Sequence, residues 1–244
     1  MCDACHFKNT RWAGWNDVPE PVIGGAGGPW LDLSHTLTED LSAIPNYPRP
    51  TFEKWRKIPD YPANITLMNM VVHHGTHLDA PNHFIDDAPS FDQVPLHRLY
   101  GPGVVWSFPA TEYGFIDVPD LESARPLVQP GDIVLFDTGW APKMRTPAYE
   151  RHPSLTPEAA QWLLDHRVKM IGVDFATPDR APTNRPEGFY WPVHHILLPH
   201  GVLIAEHVNN LAALSNRRIE AFFTGLSIIG SDGGPVRAIA RAVD

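Results

Sequence analysis

The chain has 244 residues, 43% hydrophobic and 19% charged, the balance of a globular protein and not of a disordered one. A formal net charge of -9 with no basic run argues against a nucleic-acid partner, because phosphate binding needs a basic footprint. No apolar stretch nears the roughly 20 residues of a membrane span. The first residues also lack a charged segment followed by an apolar one, so the expectation is a cytoplasmic protein with no membrane partner.

Residues 1–29 are rich in Gly, Pro and polar residues and end in Ile23-Gly24-Gly25-Ala26-Gly27-Gly28-Pro29, which reads as an irregular N-terminal arm. Within it, Cys2-x-x-Cys5-His6 has the spacing of haem attachment or of a two-thiol metal clip. Two thiols at a fraying terminus read instead as reduced, exposed cysteines. One domain is expected over 30–244, opening on the alternating run Trp30-Leu31-Asp32-Leu33-Ser34. Further strands are expected over 65–72, 103–108, 132–136, 170–174, 202–206 and 222–229, each short, apolar and bounded by Gly, Pro or Asp. Two helices are expected: a turn or two over 118–124 opened by Pro119, and one over 156–164 with Thr156 as N-cap and Pro157 at its first position. The 26 prolines work against long helices. Strands that outnumber helices without strict alternation indicate an α/β or α+β single domain with a mixed sheet, not a doubly wound parallel one. No repeat at solenoid periods is present.

His73, His74, His77, Asp79 and His83 fall within eleven positions. Burying such groups unpaired is costly, and a borderline cation such as zinc or manganese removes the cost. A helix would point Asp79 away from His73 and His77. The run over 65–72 predicts a strand entering the segment, and in an extended chain 73, 75, 77 and 79 share a face. Gly75 would then leave room between three ligands, His74 would be a bystander, and a turn past Pro81 would fold His83 back over the site. A second cluster lies at 194–207, where Glu206 closes an apolar run and needs a partner. On these residues alone, His194 and His195 are equal candidates to join it.

The stretch His73-x-Gly75-Thr76-His77-x-Asp79-Ala80-Pro81-x-His83-Phe84 resembles, over all twelve positions, the signature of the metal-dependent cyclase family, which includes bacterial kynurenine formamidase and isatin hydrolase. The resemblance continues through Trp30–Ser34, Gly131–Leu135 with Thr138-Gly139-Trp140, Gly172-Val173-Asp174, the stretch from His194 to Glu206, and Asp232–Ala238. It implies an α/β fold of mixed β/β/α, swivelling-domain-like architecture, assembled as a homodimer or homotetramer. It also implies that His73, His77 and Asp79 bind a first divalent metal, Zn2+ or Mn2+. Where a second ion is present, Asp79 bridges and His194 and Glu206 join, which leaves His195 a structural neighbour. His83 corresponds to the acid/base residue. The sequence departs from the kynurenine formamidase pattern at Ile44-Pro45-Asn46-Tyr47, where a Trp-bearing turn is expected, and carries extra residues around 54–61 and 177–190.

The function so implied is hydrolysis of an amide-type C–N bond, in a cyclic amide, lactam or formamide, by a metal-activated water with His83 as acid/base. Thr76 is either an orienting donor to a ligand or a turn residue. Phe84, Phe175, Tyr190 and Trp191 flank the motifs and are expected to form an aromatic pocket for a small-molecule substrate. Two other readings use the same residues: Lewis-acid catalysis of a cyclisation or dehydration, and a non-catalytic ligand-binding protein. The spare imidazole of His83 argues against the latter, since a structural zinc site is closed by four ligands.

Overall fold

The computed structural model describes residues 11–19, 27–41 and 47–243, so Cys2, Cys5, His6 and Ile44–Asn46 lie outside the described residues. Within these residues twelve strands follow in order: β1 Leu31–Asp32, β2 Thr51–Arg56, β3 Ile65–Asn69, β4 His77–Asp79, β5 Tyr100–Ser107, β6 Phe115–Ile116, β7 Ile133–Asp137, β8 Ser154–Leu155, β9 Met170–Val173, β10 Leu203–Glu206, β11 Arg217–Gly225 and β12 Gly233–Ala242. Among the described residues three α-helices accompany them: α1 Val118–Ser123, α2 Pro157–Asp165 and α3 Pro192–Leu197. The fold is a mixed α/β single domain, as expected.

The main sheet runs β1-β12-β11-β5-β7-β9-β10-β4, and β12 also pairs with β4, so the sheet closes into a barrel-like ring. Strands β5, β7, β9 and β10 are parallel neighbours, while β4, β11 and β12 join antiparallel. Side-chain alternation divides the core in two. Ile133 and Leu135 of β7 point into the ring with Leu78, Leu203, Ile219 and Phe223. Val134 and Phe136 point outward, under Leu121 of α1, Leu163 of α2 and Leu197 of α3. Central strands buried on both faces explain why their sequences read as continuous apolar runs.

Three expectations need correction. The strand over 65–72 is only Ile65–Asn69, and it pairs with β2 in an exposed hairpin outside the main sheet. The strand placed at 222–229 runs from Arg217 to Gly225, because Leu226, Ile228 and Ile229 are exposed and unpaired in the sheet. Helix α3 was not foreseen; its six residues are too few for a helical period to show. The 118–124 and 156–164 helices form within one residue of expectation, with Thr156 Oγ1 accepting from Ala159 N at 3.1 Å. Residues 11–19 have no regular structure but dock on the ring, where Ala13 N donates to Pro199 O at 2.8 Å.

Beneath the helices, His152 is 1% exposed and stacks on Phe175 at 5.2 Å. Its Nδ1–H donates to Pro153 O at 2.7 Å, and Nε2 is buried without a hydrogen-bond partner. Burial therefore lowers its pKa from 6.5 to about 4. A depressed histidine pKa stabilises the fold above 6.5, and that contribution is lost as the pH falls toward 4. We expect the stability gap between wild type and His152→Gln to narrow by about 3 kcal/mol across that window. Urea unfolding at stepped pH measures it, and a pH-independent gap would refute the assignment.

Candidate metal centre

The short strand β4 presents His77 and Asp79 on the outer face of the ring, since Leu78 between them packs inside. Its register with β10 sets Glu206 opposite His77, and its register with β12 sets Gly233 opposite Asp79. His73 reaches the same place by another route than strand parity. Residues 72–76 form a turn in which Gly75 takes φ +69°, a conformation that favours glycine. A Cβ at Gly75 would strike Leu37 Cδ2 at 2.4 Å, so this glycine makes the turn and does not supply the room between ligands expected of it. The room beside His73 comes from Gly233, whose Cβ would lie 3.0 Å from His73 Cε1.

The imidazoles and carboxylates converge tightly. His73 Nδ1 lies 2.9 Å from Asp79 Oδ1, and His77 Nε2 lies 3.3 Å from the same oxygen and 3.4 Å from Glu206 Oε2. His194 Nε2 lies 3.4 Å from Asp79 Oδ2 and 3.5 Å from Glu206 Oε1. All five side chains are buried. Without a cation, this crowd can persist only as imidazolium–carboxylate pairs. Burial alone would lower the pKa of His77, but Asp79 and Glu206 override it and raise the pKa to about 10. Burial and Asp79 would push Glu206 up, yet His194 and His77 hold it at about 2.

Supporting groups fix which nitrogen faces inward. His77 Nδ1–H donates to Gly75 O at 2.8 Å, aiming Nε2 at the carboxylates. Asp179 does the same for His194: its Oδ2 accepts from Nδ1 at 2.6 Å, and its oxygens also accept the Val193 and His194 amides at 3.0 and 3.2 Å. One carboxylate thus caps α3 and sets a tautomer. Asp232 accepts from His73 Nε2 at 2.9 Å and lies 3.4 Å from His83 Nδ1. Its carboxyl is held well below the usual range by those two histidines.

The turn Pro81–His83 folds His83 back, as expected, so that its ring stacks on His73 at 4.0 Å. His194, not His195, enters the cluster. His74 faces away, toward Thr38 O at 3.4 Å. Thr76 donates to His207 O at 2.6 Å and accepts from His35 N at 2.8 Å, so its hydroxyl braces a turn and touches no ligand side chain. Four participants were missed. Asp179 and Asp232 support the histidines. Tyr149 donates its hydroxyl to His207 Nδ1 at 2.7 Å, beside Glu206. Burial, and then the charge on His77, lowers the His207 pKa to about 3. The only prior signal for Asp232 was its place in a motif-like Asp-Gly-Gly stretch.

A cavity of about 290 Å³ opens onto the cluster, walled by Phe84, Trp191, Tyr47, Arg185 and Glu150, with His83, His194 and Glu206 at its base. Two pocket expectations are corrected. Tyr190 lies beside Phe189 and does not line the cavity. Phe175 is fully buried in the core behind it, against His152.

The donor set passes a direct test of fit for a divalent metal. His77 Nε2, Asp79 Oδ2 and Glu206 Oε1 are buried with no hydrogen-bond partner, a costly state that a cation relieves. Fold and site together define a class: an α/β ring protein with a His/Asp/Glu centre suited to a divalent metal. Residues 31–180 match the family model described as putative cyclase, and the chain belongs to that cyclase family. It is 27% identical over 224 residues to a kynurenine formamidase of Bacillus cereus, covering 88% of this chain and 98% of the relative. The kynurenine formamidase of Geobacillus thermodenitrificans is also 27% identical, with 87% and 97% covered. Among solved structures, isatin hydrolase A from Labrenzia aggregata superposes with a TM-score of 0.79 at 24% identity, covering 88% of this chain and 94% of that one. A protein described as a potential metal-dependent hydrolase with cyclase activity superposes with a TM-score of 0.73 at 25% identity, with 88% and 98% covered.

Proposed function

We propose that this protein is a metal-dependent hydrolase of a non-peptide C–N bond, in a formamide or a cyclic amide. The observation that carries the reading is the set of buried atoms without a hydrogen bond on His77, Asp79 and Glu206, in a cluster whose Glu206 and His194 line one cavity. The kynurenine formamidases and isatin hydrolase to which the chain is similar support the bond class. His73, His77 and Asp79 would hold one divalent ion, zinc or manganese, and where a second is bound His194 and Glu206 would hold it together with Asp79. When bound, such an ion lowers the pKa of a coordinated water to about 7 and polarises a carbonyl oxygen.

The protein's own groups do the rest. Phe84, 4.5 Å from the His194 ring, and Trp191 beyond it shield the floor from bulk water and offer a face to a planar amide. His83 stands at the cavity base with its Nδ1 toward Asp232, leaving Nε2 to move a proton. As water adds to the carbonyl and the C–N bond breaks, His83 takes a proton from the water and delivers it to the departing nitrogen. A homodimer or homotetramer belongs to this reading; the exposed Trp55, Leu67 and Met68 on the β2–β3 hairpin support it.

Chelation followed by restoration with zinc or manganese, assayed on formamides, lactams and carbamates, is the test. We expect turnover to vanish with the metal and return with it, in a preparation that sediments larger than a monomer. Full turnover by the stripped protein would end the metal-dependent reading, and a monomeric sedimentation coefficient would end the oligomer.

A further inference from the structure

Arg185 closes the 3₁₀ turn Pro182–Asn184 at the cavity wall and is half-buried there. Its Nε–H donates to Arg180 O at 2.9 Å. Its guanidinium carbon lies 4.9 Å from the ring centre of Trp191 and 5.3 Å from that of Phe189. The backbone bond and the two rings fix the plane of the guanidinium. Both terminal nitrogens are left without a hydrogen bond or carboxylate partner among the described residues. A partly desolvated cation normally finds an anion. Burial lowers the Arg185 pKa, and only the more distant charges of Asp179 and Glu206 work against it. Glu150 borders the same cavity but makes no ion pair with Arg185, and burial pushes it toward its neutral form.

We propose that Arg185 is a specificity-determining residue that binds a carboxylate of the substrate, so that the preferred substrate is a small aromatic amide bearing an anionic group. This rests on the hydrolase reading and deepens it. A guanidinium anchored through Nε presents the parallel pair of N–H donors that matches a carboxylate bidentately. It does so at low entropic cost, because its rotamers are already restricted. Phe84 and Trp191 supply flat apolar faces for an aryl ring. A cavity of about 290 Å³ lies at the small end of ligand clefts, which suits a small amide.

The test uses the metal-loaded protein and two matched pairs of probes. The first pair is formanilide and 3-carboxyformanilide, compared by kcat/KM. The second is benzoate and benzamide, compared by calorimetric binding. In wild type the carboxylated member of each pair is favoured. In Arg185→Gln the kcat/KM ratio within the first pair falls at least tenfold, and benzoate binding weakens by a similar factor relative to benzamide. Arg185→Lys keeps the charge without the fork and recovers only part of each preference. Because each ratio is taken within one variant, a partly misfolded preparation does not mimic the result. Unchanged ratios in Arg185→Gln would overturn the proposal. If neither formanilide is hydrolysed, the hydrolase reading suffers, while the benzoate comparison still decides the role of Arg185.

Discussion

Replacing Asp79 with Ala is expected to empty the centre of metal and to cut turnover by three orders of magnitude or more, an order-of-magnitude figure for losing metal-assisted catalysis. Asp79 lies within 3.4 Å of three histidines of the cluster. One oxygen of Asp79 faces His73 and His77, and the other faces His194. Asp79→Ala removes a group that faces both halves of the site and three of its histidines, whereas His194→Ala removes only one edge. Elemental analysis and turnover should therefore fall together in the Asp79 variant. A variant that keeps stoichiometric metal and turnover within tenfold of wild type would show that the centre lies elsewhere.

His83→Gln separates chemistry from coordination. We expect metal content close to wild type and kcat lower by about 10²- to 10⁴-fold, the range for loss of a general acid–base. The structure supplies its own rival. His83 offers a nitrogen within 4.8 Å of ligand atoms on His73 and Asp79, close enough to belong to a metal site itself. Two features favour the proton-carrier role. His83 keeps 20% of its side chain exposed where the other histidines of the cluster are nearly sealed, and its Nδ1 lies 3.4 Å from the Asp232 carboxylate. Metal lost in parallel with activity would make His83 a ligand and remove its acid–base assignment.

How far the site could be read in advance differs from residue to residue. His77 and Asp79 are two apart on a strand, so alternation alone places them together, and the structure keeps them so. His73 was grouped with them by extending that strand through Gly75, which the left-handed turn forbids. The grouping survives because a turn happens to return the imidazole to the same point. Choosing His194 over His195 needed the resemblance, because α3 is short and begins after Trp191 at φ 54°, where no periodic pattern can register. Asp179 lies 15 positions from His194 and Asp232 lies 159 from His73. Contacts of that kind are made by topology, and a lone aspartate beside an ordinary turn carries no local sign of them. The ring itself was hidden for the same reason. Alternation predicts faces and strands, but not that β12 would pair with β4 as well as with β1 and β11 and close the sheet.

That closure also sets an order of events in the making of the protein. The β4–β12 pairing seats Gly233 behind His73 and brings Asp232 onto two imidazoles. A growing chain therefore exposes its histidine-rich segment long before it has made the strand that gives those side chains their geometry. The seam that completes the ring is thus also what gives the histidine-rich segment its final geometry, from a strand made near the end of the chain.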